Sequence, residues 1–178
     1  NSMLRKIFIR HFYWKSSRNI NKNIVNTYLD LSTNLQDKKL IANLTSDVKK
    51  IEEGVVINNF NIIDYNKSPK SIKKLIKNQK SVLYFWNPEY LGKDFIASRI
   101  KYLSKKYPDL KFIGVKIAGN NKDRILKLDI KSQYYLESSS EASSFLTSKL
   151  PRTILINKKG VVINSYASLS SRNIFNQI

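Results

Sequence analysis

A chain of 178 residues, 42% hydrophobic and 11% aromatic, is long enough for one packed domain with an appendage, or for two small domains. It holds no apolar run near the ~20 residues that cross a bilayer as a helix, and its lack of cysteine excludes disulfides and thiol chemistry by its own atoms. The net charge of +19 divides evenly, +10 over residues 1–80 and +9 over 81–178, and Lys, Ile and Asn make up 66 of the 178 residues, so the expectation is a solvated basic surface rather than a concentrated phosphate-binding element.

Residues 3–53 contain neither Gly nor Pro. Apolar residues recur at helical spacing: Ile7, Phe8 and Phe12 with His11, then Ile24, Tyr28, Leu31 and Leu35, then Leu40, Ile41, Leu44, Val48 and Ile51. This predicts three short helices broken near Ser16–Asn21 and Asn34–Asp37, with Asp37 capping the third and Gly54 ending it. Asn1-Ser2 ahead of Met3 reads as an appended scar. The leader begins abruptly, so further sequence, including a signal or anchor, is expected upstream.

The period changes at Val55. Residues 56–64 are β-prone, Asn66–Pro69 is a turn, and Ser71–Lys77 forms a helical turn or two. Ser81–Trp86 reads as a buried central strand. Asn87-Pro88 is a helix start, with Asn as N-cap and Pro at the first helical position. The helix that follows places Ile96, Ile100, Leu103 and Tyr107 on one face and stops at Pro108-Asp109. Leu110–Ile117 is a strand, Gly119–Asn121 a loop, Lys122–Leu128 a short helix and Gln133–Leu136 a further strand. Ser138–Lys149 is helical with Ala142, Phe145 and Leu146 inward. Thr153–Asn157 and Val161–Ala167 form a hairpin around Asn157-Lys158-Lys159-Gly160, and Ser170–Ile178 closes the chain as a helix. The order implies an α/β fold: a mixed sheet with helices on both faces, residues 55–178, behind a helical leader, residues 1–54.

Four features resemble the thioredoxin-like family, nearest its membrane-anchored or secreted TlpA type. Tyr84-Phe85-Trp86 stands where the family has an apolar strand ending in Phe-Trp. Four and seven residues past Trp86 lie Tyr90 and Lys93, the family's two cysteine positions. Leu150-Pro151-Arg152-Thr153-Ile154-Leu155-Ile156 resembles the cis-proline strand, and Asn157–Val161 the turn after it. The resemblance covers residues 55–178. The helical leader lies outside the core fold, although similar leaders occur in Bacteroidetes-type members. The family's chemistry needs a thiolate at a helix N-terminus and a resolving thiol one turn later. Tyr90 offers a phenol of pKa near ~10, Lys93 an amine, and the place of a buried acid in some members is taken by Tyr84. The reacting atoms are absent.

The resemblance therefore implies a redox-inactive domain that binds or scaffolds a protein or peptide partner, not an enzyme. The candidate groove is Trp86, Asn87, Pro88, Glu89, Tyr90 and Lys93 facing Leu150 and Pro151, where a cis bond would leave the Leu150 backbone open to β-type pairing. The bland alternative is a drifted site with no new role. Two other classes stand beside it: non-thiol or partner-supplied chemistry, and a polyanion or membrane-surface binder using the positive charge. No cofactor or metal is expected, because the only histidine, His11, has no ligand cluster around it. Nucleic acid is not the expected partner, and the Tyr13-Trp14, Phe8 and Phe12 aromatics read as leader core. Membrane association is expected only through an upstream anchor. The resemblance implies a periplasmic, secreted or membrane-anchored location. Asn43-Leu44-Thr45 matches a glycosylation acceptor but falls within a helix.

Overall fold

The structure, a computed structural model, describes residues 22–89, 92–117, 123–137, 139–140, 142 and 150–170. The first expected leader helix, His11, the loop at 119–121, most of 138–149 including Phe145 and Leu146, and the closing segment 171–178 lie outside these residues.

Two helices precede the sheet, α1 (Lys22–Leu31) and α2 (Leu35–Lys50). They meet through Val25 and Ile41 and through a hydrogen bond of 3.1 Å from the Tyr28 hydroxyl to Asp37. The N-cap of α2 is Asn34, not Asp37: the Asn34 side chain accepts from the Gln36 and Asp37 amides, which leaves Asp37 in the first turn, favourable to the helix dipole. The helix ends at Lys50, four residues before Gly54, whose φ of +90° serves the following turn instead.

Seven strands form one sheet in the order β2-β1-β5-β4-β3-β6-β7. These are β1 (Asn61–Asp64), β2 (Pro69–Ser71), β3 (Lys80–Trp86), β4 (Leu110–Lys116), β5 (Gln133–Tyr135), β6 (Arg152–Ile156) and β7 (Val162–Ala167). Strands β3, β4 and β5 are parallel neighbours; β6 runs antiparallel beside β3, and β7 antiparallel beside β6 at the sheet edge. The expected strand over 56–64 shortens to β1, with Val56 contributing one bridge to Val161. The expected turn through Pro69 is tighter: Asp64 accepts from the Asn66 and Ser68 amides and closes a β1–β2 hairpin, so Pro69 opens a short edge strand where its missing N–H costs nothing.

Helices α3 (Ile72–Ile76) and α4 (Lys93–Lys106) pack on the sheet. Alternation along β3 splits the core: Leu83 and Phe85 join Ile62, Ile72, Ile113 and Ile154 on one face, while Val82, Tyr84 and Trp86 meet Ile96, Ile100 and Leu103 of α4 on the other. Ile51, just past α2, is fully buried in the first of these clusters, and Ala142 joins it. Residues 123–128 are not helical. The Gln133 side chain bonds both the N–H and C=O of Ile125, at 2.8 and 3.1 Å, and holds that stretch irregular ahead of a 3-10 turn at Ile130–Ser132. The hairpin turn at 157–160 forms as expected, with Gly160 at φ +80°.

Candidate functional site

The peptide bond between Leu150 and Pro151 is cis, at the entry to β6. Beside it lies a groove of about 280 Å³. Its walls are Tyr84 of β3, Phe95 of α4, Pro151, Arg152 and Thr153, and the segment 166–170 that runs from the end of β7 onward. Register explains the convergence: Thr153 of β6 pairs with Tyr84 on one side and Ala167 on the other. Phe95 stands one residue off the inward stripe Ile96–Ile100–Leu103 and is 53% exposed. The far wall is fixed by a 2.7 Å hydrogen bond from Arg99 Nε to the Leu169 carbonyl. Arg152 is buried, its guanidinium carbon 5.2 Å from the centroid of the Tyr166 ring. Burial alone pushes the Tyr84 phenol up to about 12.

The residues expected to ring the groove separate. Trp86 is buried under α4 in the sheet core. Asn87 is buried and does not cap a helix: its side chain accepts from the Glu89 amide at 3.0 Å, an Asx turn that uses up the capping oxygen, with Pro88 half-buried between them. The helix begins only at Lys93, with Gly92 as a side-chain-free cap, and Asp94 rather than the exposed Glu89 sits in its first turn. Tyr90 lies outside the described residues. Leu150 is half-buried and packs on the core. Of the seven candidates that are described, Pro151 lines the groove.

Lys93 faces a different cluster at the carboxyl ends of β3, β4 and β5. Its Nζ lies 3.6 Å from Asp123. The Tyr65 hydroxyl donates to the Asp123 carbonyl at 2.6 Å, and the Arg124 guanidinium lies over the Tyr65 ring. Lys116, at the end of β4, is 2% exposed, with Nζ 5.9 Å from the Tyr135 ring centroid. Burial holds its ammonium below the ordinary lysine range, Asp123 opposes that, and Lys93 adds to it. Among the described residues no group of three His, Asp or Glu could hold a metal, and no helix is long and apolar enough to cross a membrane. Thr45, of the glycosylation-like triplet, sits within α2 and bonds the Ile41 carbonyl.

Sequence reasoning missed Phe95, Arg152 and Tyr166. Phe95 was available as an aromatic off the helix's inward stripe. Tyr166 and Arg152 needed the register of β6 against β7.

No family model matches the chain, and no curated protein does. Solved structures do. A Bacteroides vulgatus protein named as a thiol-disulfide oxidoreductase is 25% identical with a TM-score of 0.58, over 71% of this chain and 94% of that one. The thioredoxin domain of a thiol-disulfide oxidoreductase from the same species is 19% identical with a TM-score of 0.52, over 70% and 93%. A thioredoxin-like protein from Bacteroides caccae is 16% identical with a TM-score of 0.57, over 80% of this chain and 55% of that one. The resemblance read from the sequence is borne out: this chain has the thioredoxin-like fold, and it has it without cysteine.

Proposed function

We propose that this cysteine-free thioredoxin-like domain binds an extended peptide segment of a partner protein in the groove beside Pro151, as a binding or scaffolding module without turnover. One observation carries the reading: a groove edged by Pro151 and the exposed aromatic Phe95, on a chain with no thiol to react. An extended peptide pairs with exposed backbone through main-chain hydrogen bonds, while a side-chain pocket supplies preference. Phe95 is the type of anchor that concentrates binding energy. The resemblance favours a location outside the cytoplasm, in the periplasm, secreted or anchored upstream.

A linear-peptide phage library panned on the protein tests this. Enriched peptides are expected to bind the wild type and to lose affinity when Ala167→Arg fills the groove. No enrichment, or binding indifferent to Ala167→Arg, rejects the groove. Insulin reduction above the rate of external dithiol alone rejects the absence of turnover.

A further inference from the structure

The positive charge divides evenly along the sequence but not in space. Residues 65–88 hold six lysines and no Asp or Glu. Of these, Lys73 lies in α3 and Lys77 caps its C-terminus; the β6–β7 turn carries Lys158 and Lys159. These four lysines line one cavity of about 310 Å³. All four are exposed, and none is in an ion pair among the described residues. The rest of the lining is apolar or uncharged, with Ile57 and Ile76 buried at its base and Val56 half-exposed, next to Val55 at 37%. No carboxylate lines it; Glu52 and Glu53, nearest in sequence to Val55, stand outside.

The cavity is at the far end of the sheet from Pro151. Ile156, the last residue of β6, pairs with Ser81 near the start of β3, whereas Arg152, just after Pro151, pairs with Phe85 near its end. A partner here leaves the groove open.

We propose that this end of the domain docks on an anionic phospholipid bilayer, with Lys73, Lys77, Lys158 and Lys159 over headgroup phosphates and Val55 and Val56 at the acyl boundary. Lysine is a compact charge with rotatable donors, suited to phosphates in no fixed geometry. Exposed apolar residues in and beside a basic cavity, Val56 in its lining and Val55 next to it, are rewarded at an interface that offers both negative charge and hydrocarbon. Nucleic acid offers the charge but would leave the valines unused, and no aromatic side chain lines the cavity as a stacking platform. This docking is independent of peptide binding in the groove and adds a route to the membrane besides an upstream anchor.

Cosedimentation with vesicles of phosphatidylcholine, with and without phosphatidylglycerol, tests it. The wild type is expected to partition onto the phosphatidylglycerol vesicles only, less so as salt rises. Each lysine near an anionic surface contributes roughly fivefold in partitioning, so Lys158→Ala with Lys159→Ala is expected to lower it about 25-fold. The same charge change on the exposed side of α4, Lys101→Ala with Lys105→Ala, is expected to leave it nearly unchanged. Val56→Asp is expected to weaken it as well, with retained melting temperature showing that each variant folds. Equal losses from the two lysine pairs would overturn the proposal in favour of net charge alone, and no binding to phosphatidylglycerol would overturn it outright. A DNA oligonucleotide bound more tightly than the vesicles, sensitive to Lys158 and Lys159 but indifferent to Val56→Asp, would reassign the surface to nucleic acid.

Discussion

Phe95→Ala separates the groove seen in the structure from the ring of residues read from the sequence. The side chain is 53% exposed, so about half of its surface remains for a ligand to cover. An aromatic side chain buries on the order of 200 Å² in full, which leaves roughly 100 Å² here. At about 25 cal/mol per Å², complete coverage is worth ~2.5 kcal/mol, or roughly 60-fold in affinity; a peptide covering half of that surface loses about tenfold. The fold itself should tolerate the change, because Ala is a better helix former than Phe and so offsets part of the missing ring packing. Fluorescence anisotropy of a library-derived peptide against the wild type, Phe95→Ala and Lys93→Ala measures all three. Lys93 is expected to matter little, since its ammonium faces Asp123 and its side chain does not line the groove. Equal affinity for wild type and Phe95→Ala, with a large loss for Lys93→Ala, would refute the groove and restore the arrangement read from the sequence.

Replacing Tyr90 and Lys93 together by cysteine is expected to give a disulfide on oxidation, seen as a two-proton mass loss and loss of free thiol; failure to close would place the pair outside the ~4.4–6.8 Å Cα range and reject the alignment to the family's cysteine positions. Alkaline stability should fall between pH 10 and 12. Burial raises the Tyr84 and Tyr65 phenols from 10 to about 12, so the folded chain keeps protons that the unfolded chain has released; the stability these groups give is complete below pH 10 and is lost as pH rises through 12. For the 3%-exposed Tyr84 this amounts to at most ~2–3 kcal/mol, and less for the half-buried Tyr65. Urea unfolding of Tyr84→Phe should show a shallower decline over that range, and an unchanged slope would reject the burial argument.

How much was legible in the sequence depended on whether a residue's neighbours were local. The run 81–86 had to be a central strand, because six consecutive buried residues leave no solvent face. The stripe Ile96–Ile100–Leu103 fixed the inward side of α4, and Gly160 fixed the hairpin. The helix start failed at Asn87 because an Asx turn and an N-cap use the same side-chain oxygen, and Asn-Pro satisfies both patterns. The helix expected at 122–128 failed for a non-local reason: Gln133, in the next strand, takes the backbone bonds of Ile125. The groove was half legible. Pro151 carried a family signature, whereas Tyr166 and Thr153 become its walls only through strand register, which single-sequence periodicity does not contain.

The charge of Lys93 acts on a buried neighbour, Lys116, where its effect can be measured. Lys116 is buried at the end of β4 and registers with Trp86. Its ammonium is held below the usual lysine range chiefly by burial, with Lys93 adding to the effect and Asp123 opposing it. The folded chain therefore releases this proton at a lower pH than the unfolded chain. Between the two values the unfolded state binds more protons, so stability rises with pH across that window up to the ordinary lysine range. Below the window the folded protein carries the full cost of a charged buried amine. Lys116→Met removes that cost at neutral pH along with the cation's interaction with the Tyr135 ring, so its stability relative to wild type should be highest at pH 7 and should decline towards pH 10. Lys93→Met should shift the wild-type window upward, by removing the like charge. Urea unfolding across that range reads both effects. A difference between Lys116→Met and wild type that stays constant, or grows with pH, would mean that burial does not lower the Lys116 ammonium, and a window unmoved in Lys93→Met would mean that Lys93 does not act on it.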